Sequence, residues 1–189
     1  MADHTFDPAT AVLDDIAGTY TIDPTHSRLG FSTRHAMVTT VRGAFGEFSG
    51  DAVVDTQNPA ASKVTVTIKA ASIDTGVADR DAHMRSADFF DVETYPEITF
   101  VSTDVSRDGD DWTIAGDLTI KDVIKPVTIE FESTGSARDP FGNTRIGFEG
   151  RTTINRKDWG LSWNAALETG GFLVSDKIKL DFDISAIAK

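Results

Sequence analysis

The sequence predicts an all-β domain, either a sandwich or an up-and-down barrel, and three observations carry that reading. Apolar and polar residues alternate with a period of two in one stretch after another. Turn-forming residues fall between those stretches. Only one interval in the body of the chain is both long and free of that period.

The elements follow in order. Residues 1–17 are acidic, carry Pro8 and show little periodicity, so a loose N-terminal arm is expected, with at most a short helical turn at 9–16. The folded domain is expected to span 18–189. From Tyr20 onward the period is two. "RLGFSTRHA" places Leu29, Phe31, Thr33 and His35 on one face, and "GAFGEFSG" at 43–50 reads as a bent or bulged strand. In "KVTVTIKA", Val64, Val66, Ile68 and Ala70 point one way while Lys63, Thr65, Thr67 and Lys69 point the other.

Further on, "EITFVSTDV" offers Ile98 and Phe100, and "DWTIAGDLTI" offers Trp112, Ile114, Gly116, Leu118 and Ile120. "VTIEFES" gives Val127, Ile129 and Phe131; "RIGFEGRTTI" gives Ile146, Phe148, Gly150, Thr152 and Ile154. The last strand, "KIKLDFDI", gives Ile178, Leu180, Phe182 and Ile184. Asp108-Gly109 predicts a type I′ hairpin turn, and "RDPFGN" and "ETGG" are further turn signals. A closed ring of about eight such strands has room for packed side chains or one small ligand.

The exception is the interval from Ala70 to Glu97, which contains "SIDTGVADRDAHMRSADFFD". Asp79 with His83, and Asp81 with Arg85, are i,i+4 acid–base pairs, so one or two short helices are expected, ended by Pro96. A long excursion from a meander is often functional.

Composition narrows the function. The 189 residues suit one domain, and 40% hydrophobic with 25% charged residues is ordinary for a globular chain. A net charge of -12 argues against nucleic acid and against an anionic membrane surface as main partner. The absence of cysteine excludes disulfides and thiolate chemistry. The N-terminal residues lack a basic n-region and an apolar h-region, and no apolar run is long enough to span a bilayer. A cytoplasmic location without stable membrane insertion is therefore expected.

The chemistry-bearing motifs are weak. His83 and the aspartates around it lack a second histidine at metal-binding spacing, so no metal is expected. His26 and Ser27 are adjacent in a strand and point to opposite faces, which rules out a Ser–His bond. "GAFGEFSG" lacks the lysine and helix of a phosphate loop, and "SRDGDDW" lacks calcium-loop spacing. No pair of carboxylates is singled out by spacing, so no catalytic residue is assigned. Two basic groups remain: Arg34, His35 and Arg42 about one turn, and Arg80, His83 and Arg85 in the excursion. They make either structural salt bridges with nearby aspartates or a polar lid over an apolar cavity.

"YTIDPTHSRLGFSTRHAMVTTVRGAFGEFSGD", "SIDTGVADRDAHMRSADFFDVETYPEITFVST" and "GDLTIKDVIKPVTIEFE" resemble the YceI family of lipocalin-like, polyisoprenoid-binding proteins. The likeness runs from about Tyr20 to the C-terminus. Its most specific pieces are His26-Ser27, Arg42-Gly43 with Phe45, Arg80-Asp81 with His83 through Phe89-Phe90, and Leu118-Thr119-Ile120. One departure is Asp122, which stands where the family's turn usually has glycine.

The resemblance implies an extended eight-stranded antiparallel up-and-down barrel with one or two short helices between strands. It implies an apolar tunnel for a polyisoprenoid, an isoprenoid quinone or a similar amphiphile, held for transport, storage or sequestration, with no cofactor. The residues expected to line it are Phe31, Phe45, Val66, Ile68, Phe100, Trp112, Ile129, Phe131, Phe148 and Phe182. Phe89 and Phe90, with Trp163 and Phe172, are expected at the mouth, and Arg34, His35, Arg80 and His83 are the head-group candidates. Two rival readings stand beside this one: a lipid-modifying enzyme using His83 and an aspartate, and a closed-core stress or interaction protein. Strand edges left exposed, together with the resemblance, leave a homodimer open.

Overall fold

The computed structural model describes residues 15–189. Most of the expected N-terminal arm, with residues 9–14 of the helical turn placed at 9–16, lies outside the described residues. Within its last part, Ile16 is already buried against Tyr20 and Trp112.

Eleven strands are present among the described residues: β1 (Gly18–Ile22), β2 (Arg28–His35), β3 (Thr39–Phe45), β4 (Phe48–Val54), β5 (Lys63–Lys69), β6 (Ile73–Asp74), β7 (Glu97–Asp108), β8 (Asp111–Ile120), β9 (Val123–Arg138), β10 (Thr144–Asn155) and β11 (Lys177–Ala188). The α-helix is α1 (Ala78–Arg85). Six of the strands are halves of three bent ones. β1 and β2 flank a 3-10 turn at Pro24–His26, which Asp23 caps by accepting the Thr25 N–H. β3 and β4 flank Gly46 and Glu47, and β5 and β6 flank a 3-10 turn at Ala70–Ser72.

So joined, eight long strands run in sequence order, each antiparallel to the next. The ring closes where β1 pairs with β11, Tyr20 opposite Ala188. Closure removes most of the strand edges that sequence reading offered as a route to a dimer. The family-like barrel is thus the architecture, and the sandwich alternative is set aside.

Period-two alternation places the inward residues correctly until a bulge resets it. In β7, strict alternation from Ile98 and Phe100 would turn Asp104 inward. A register shift between Ser102 and Asp104 brings Val105 inward instead, where it is 3% exposed. A second shift, opposite Gly147 and Phe148, adjusts β9.

Two turns differ from expectation. The β7–β8 hairpin turns on Gly109 and Asp110, and only Gly109 has positive φ (63°), which matches II′ rather than I′ geometry. In the β8–β9 turn the positive φ falls on Lys121 (57°), not on Asp122. The β2–β3 hairpin is the reverse case. Ala36 and Met37 both sit at positive φ, 49° and 64°, and the Val38 N–H donates to the His35 carbonyl. That is I′ geometry built from residues that disfavour it.

One polar knot fixes the end of the barrel away from α1. Arg145 of β10 donates from Nη1 to Asp23 (2.7 Å) and from Nε to Asp139 (2.8 Å). The Arg145 guanidinium, with Thr25 and His26, holds the Asp23 carboxyl far below the usual carboxylate range. The Asn143 amide foremost, and then Arg145, do the same for Asp139. Both folded values are depressed, so the stability they confer is complete above about pH 4 and is lost as pH falls further. Arg145→Gln should therefore move the acid-unfolding midpoint to higher pH by tryptophan fluorescence; an unchanged acid limb would contradict this role.

Candidate functional site

Two apolar lobes lie inside the barrel. The lobe beneath α1 has a volume of about 180 Å3, and the lobe toward the β7–β8 hairpin about 160 Å3. Leu29, Ile68 and Phe182 belong to the walls of both, so they form a waist between two chambers. Together the lobes reach the lower end of small-molecule site volumes, roughly 300 Å3.

The predicted residues divide between them. Phe31, Phe45, Phe89 and Phe90 line the α1 lobe, Ile68 and Phe182 the waist, and Val66, Phe100, Trp112, Ile129, Phe131 and Phe148 the far lobe. Several of these inward residues, such as Phe131, Phe148 and Phe182, are only half-buried because they face a void. Trp163 lines neither lobe. It packs outside, with its ring 4.5 Å from the His83 ring and 5.4 Å from Phe89. Phe172 departs furthest from expectation: it is 62% exposed and lines a surface groove. Its backbone bridges to Ala166 across a turn whose Gly170 and Gly171 both have positive φ, and that turn carries it outward.

Glycines opposite phenylalanines give the walls their shape. Gly43 pairs with Phe31, and a Cβ at Gly43 would lie 2.5 Å from the Phe31 ring. Gly116 seats the Phe100 ring and Gly150 the Phe131 ring in the same way. Gly150 pairs with Phe131 on one side and Phe182 on the other, and those two rings stack at 5.9 Å. The rings therefore lie along the wall instead of filling the lumen.

The four head-group candidates do not act alike. Arg34, His35 and Arg80 line the α1 lobe, whereas His83 does not. Arg80 spends its donors on Thr75, from Nε to Oγ1 (2.7 Å) and from Nη2 to the carbonyl (2.8 Å). Thr75 in turn donates its N–H (2.8 Å) and its hydroxyl to Asp81. The expected i,i+4 pairs of α1 are absent because His83, Asp81 and Arg85 are used elsewhere. Asp81 is committed to Thr75, Arg85 donates to the Ala71 and Ile73 carbonyls, and His83 Nε2 bonds Asp88 at 2.8 Å. These bonds brace α1 over the lobe, which leaves Arg34 and His35 as the polar groups on the β2 side of the mouth.

Sequence reading missed Arg156, the residue that closes the same mouth. It is 3% exposed, follows β10 in a 3-10 turn (Arg156–Trp159), and lines the α1 lobe. Its guanidinium donates to the carbonyls of Ser175 (3.0 Å), Leu161 (2.5 Å), Trp163 (2.8 Å) and Val174 (3.4 Å). Burial pushes its pKa down, and Asp176 at 3.7 Å partly restores it. Nothing local distinguishes a buried arginine from a solvated one, so the sequence carried no signal. The additional wall residues Ile178 and Leu180 were legible from the period of β11.

Among the described residues, no group of three or more His, Asp or Glu side chains is gathered to hold a metal ion. No helix among them is long and apolar enough to cross a membrane. The fold and its interior define the class: a closed antiparallel barrel that encloses an apolar cavity, with its polar residues braced at one end. Residues 20–186 match the YceI-like domain, and the chain belongs to that family.

It is 45% identical to protein YceI of Escherichia coli over 148 residues, 77% of this chain and 78% of that one. Identity is 44% to a UPF0312 protein of Photorhabdus laumondii, covering 76% of each. Among solved structures, BcnA of Burkholderia cenocepacia aligns with a TM-score of 0.76 at 25% identity, covering 87% of this chain and 98% of that one. The YCEI protein of Campylobacter jejuni aligns at 0.71 and 27% identity, covering 100% and 99%. A polyisoprenoid binding domain from Saccharophagus degradans shares the fold at 0.67 and 19% identity, covering 90% and 98%.

Proposed function

We propose that the chain holds one long-chain apolar molecule, a polyisoprenoid, an isoprenoid quinone or a comparable amphiphile, along the two-lobed cavity, for transport, storage or sequestration. The observation that carries the proposal is the pair of apolar lobes meeting at the waist of Leu29, Ile68 and Phe182. A slender chain suits two small chambers in series better than a compact ligand does. Enclosing hydrocarbon gains roughly 0.8 kcal/mol per CH2, so each further prenyl unit inside adds several kcal/mol before ordering costs. The polyisoprenoid-binding description of the S. degradans relative supports the same ligand class.

A binding role suits the site better than an acid–base enzyme. His83, the base such an enzyme would use with an aspartate, bonds Asp88 but stands outside the residues that line the cavity, away from a bound lipid. Native mass spectrometry and organic extraction of purified protein test the proposal. A copurified long-chain lipid is expected; a ligand-free protein that also takes up no prenyl lipid from detergent would overturn it.

A further inference from the structure

We infer that the rim of the α1 end docks on a lipid bilayer through Met37, Val38 and Phe172, so that ligand enters and leaves without crossing water. The inference rests on the ligand class proposed above. Met37, Val38 and Phe172 are 66%, 73% and 62% exposed. They stand on two neighbouring loop tips, tied together where the Ala36 N–H donates to the Leu173 carbonyl (2.7 Å) and His35 bridges Val174.

Three observations indicate what covers this rim. Met37 and Phe172 line one surface groove with Arg34 and Val174, and those last two also line the α1 lobe. The apolar rim is therefore continuous with the cavity. Next, the tip is held at a cost. A I′ turn favours Asn-Gly, yet Ala36 and Met37 occupy both positive-φ positions, and the result projects Met37 and Val38 into solvent. Finally, the rim is small. Three side chains on two loop tips fall well short of the roughly 800 Å2 per partner of a stable protein interface. Shallow insertion into the headgroup–acyl boundary needs no such area.

The charge of the chain refines the surface. At a net charge of -12, anionic lipid repels the body of the protein, so docking favours zwitterionic bilayers. The contact is weak and reversible, as a carrier requires.

Cosedimentation with phosphatidylcholine vesicles tests this. The expected result is measurable binding that falls about tenfold or more in the double variant M37E/F172E. A second double variant, A36N/M37G, gives the turn the residues it prefers; it should unfold at higher temperature and still bind vesicles less. Uptake of a prenyl lipid from detergent, measured in parallel, should be unchanged in both variants. Vesicle binding that is absent, or equal in wild type and variants, overturns the inference. So does self-association that the variants abolish, which would make a second copy the occupant. If wild-type protein takes up no lipid from detergent, the ligand proposal fails, and the vesicle measurement still reports on the rim by itself.

Discussion

Replacing Arg156 with methionine is expected to detach residues 160–176 from the barrel and to cost about 3–4 kcal/mol. The guanidinium is buried and supplies donors to the carbonyls of Ser175, Leu161, Trp163 and Val174. Methionine fills part of the volume and satisfies none of them. Val174 keeps the Asn164 amide as a donor (2.8 Å), but the Ser175, Leu161 and Trp163 carbonyls must then reach water or remain unpaired, and a buried unpaired acceptor costs about 1–3 kcal/mol. Water is reached only if the segment moves, taking with it Trp163, which packs on Phe89 and His83. The urea midpoint should fall, and amide exchange should rise first within 160–176. Lysine at 156 should recover little, since a single ammonium lacks the guanidinium's fork. A midpoint unchanged in the methionine variant would show that the segment is held by something else.

Ile68→Trp is expected to close the waist. Ile68 faces Leu29 and Phe182 between the lobes, and the larger ring has open space on both sides to occupy. The cost to folding should stay below the usual 1–3 kcal/mol of overpacking, because the added atoms enter a cavity. Binding changes more. A ligand confined to one lobe forfeits the burial of several CH2 groups, so affinity for a long prenyl chain should fall about a hundredfold. A short amphiphile that fits the α1 lobe should bind nearly as before. Titration with a series of increasing chain length reads this directly. Affinity that keeps rising with length in the variant as in wild type would remove the waist from the account.

Most strands were legible in the sequence because a barrel wall with a dry inside and a wet outside imposes period two. The period fails where the backbone spends a residue: the bulge near Ser102–Asp104 brings Val105 inward, and no residue type announces it. Alternation also gives direction without depth. Phe131 and Val127 both point inward, yet Val127 packs in the core beneath α1 while Phe131 borders the far lobe. Whether an inward side chain meets another or a void depends on how the ring of strands closes. The mouth was the least legible part. His83 takes Asp88 rather than Asp79, and Phe172 turns outward on Gly170 and Gly171. Both outcomes are local, a partner five residues on and two glycines just before Phe172, yet no residue type announces either.

The glycines at 43, 116 and 150 have a consequence for how this barrel can change its cargo. Each leaves a seat on one strand into which a neighbouring phenylalanine folds flat. The bore is thus set by the places where a side chain is missing. At Gly150 an added methyl group meets the Phe131 ring and tips it toward the axis, narrowing the tube at that height. At Gly43 and Gly116 it also meets the backbone oxygens of Asp74 and Val101, so the wall itself must give. Girth can therefore be retuned locally at the Gly150 seat, while the other two seats tie the bore to the wall that carries them.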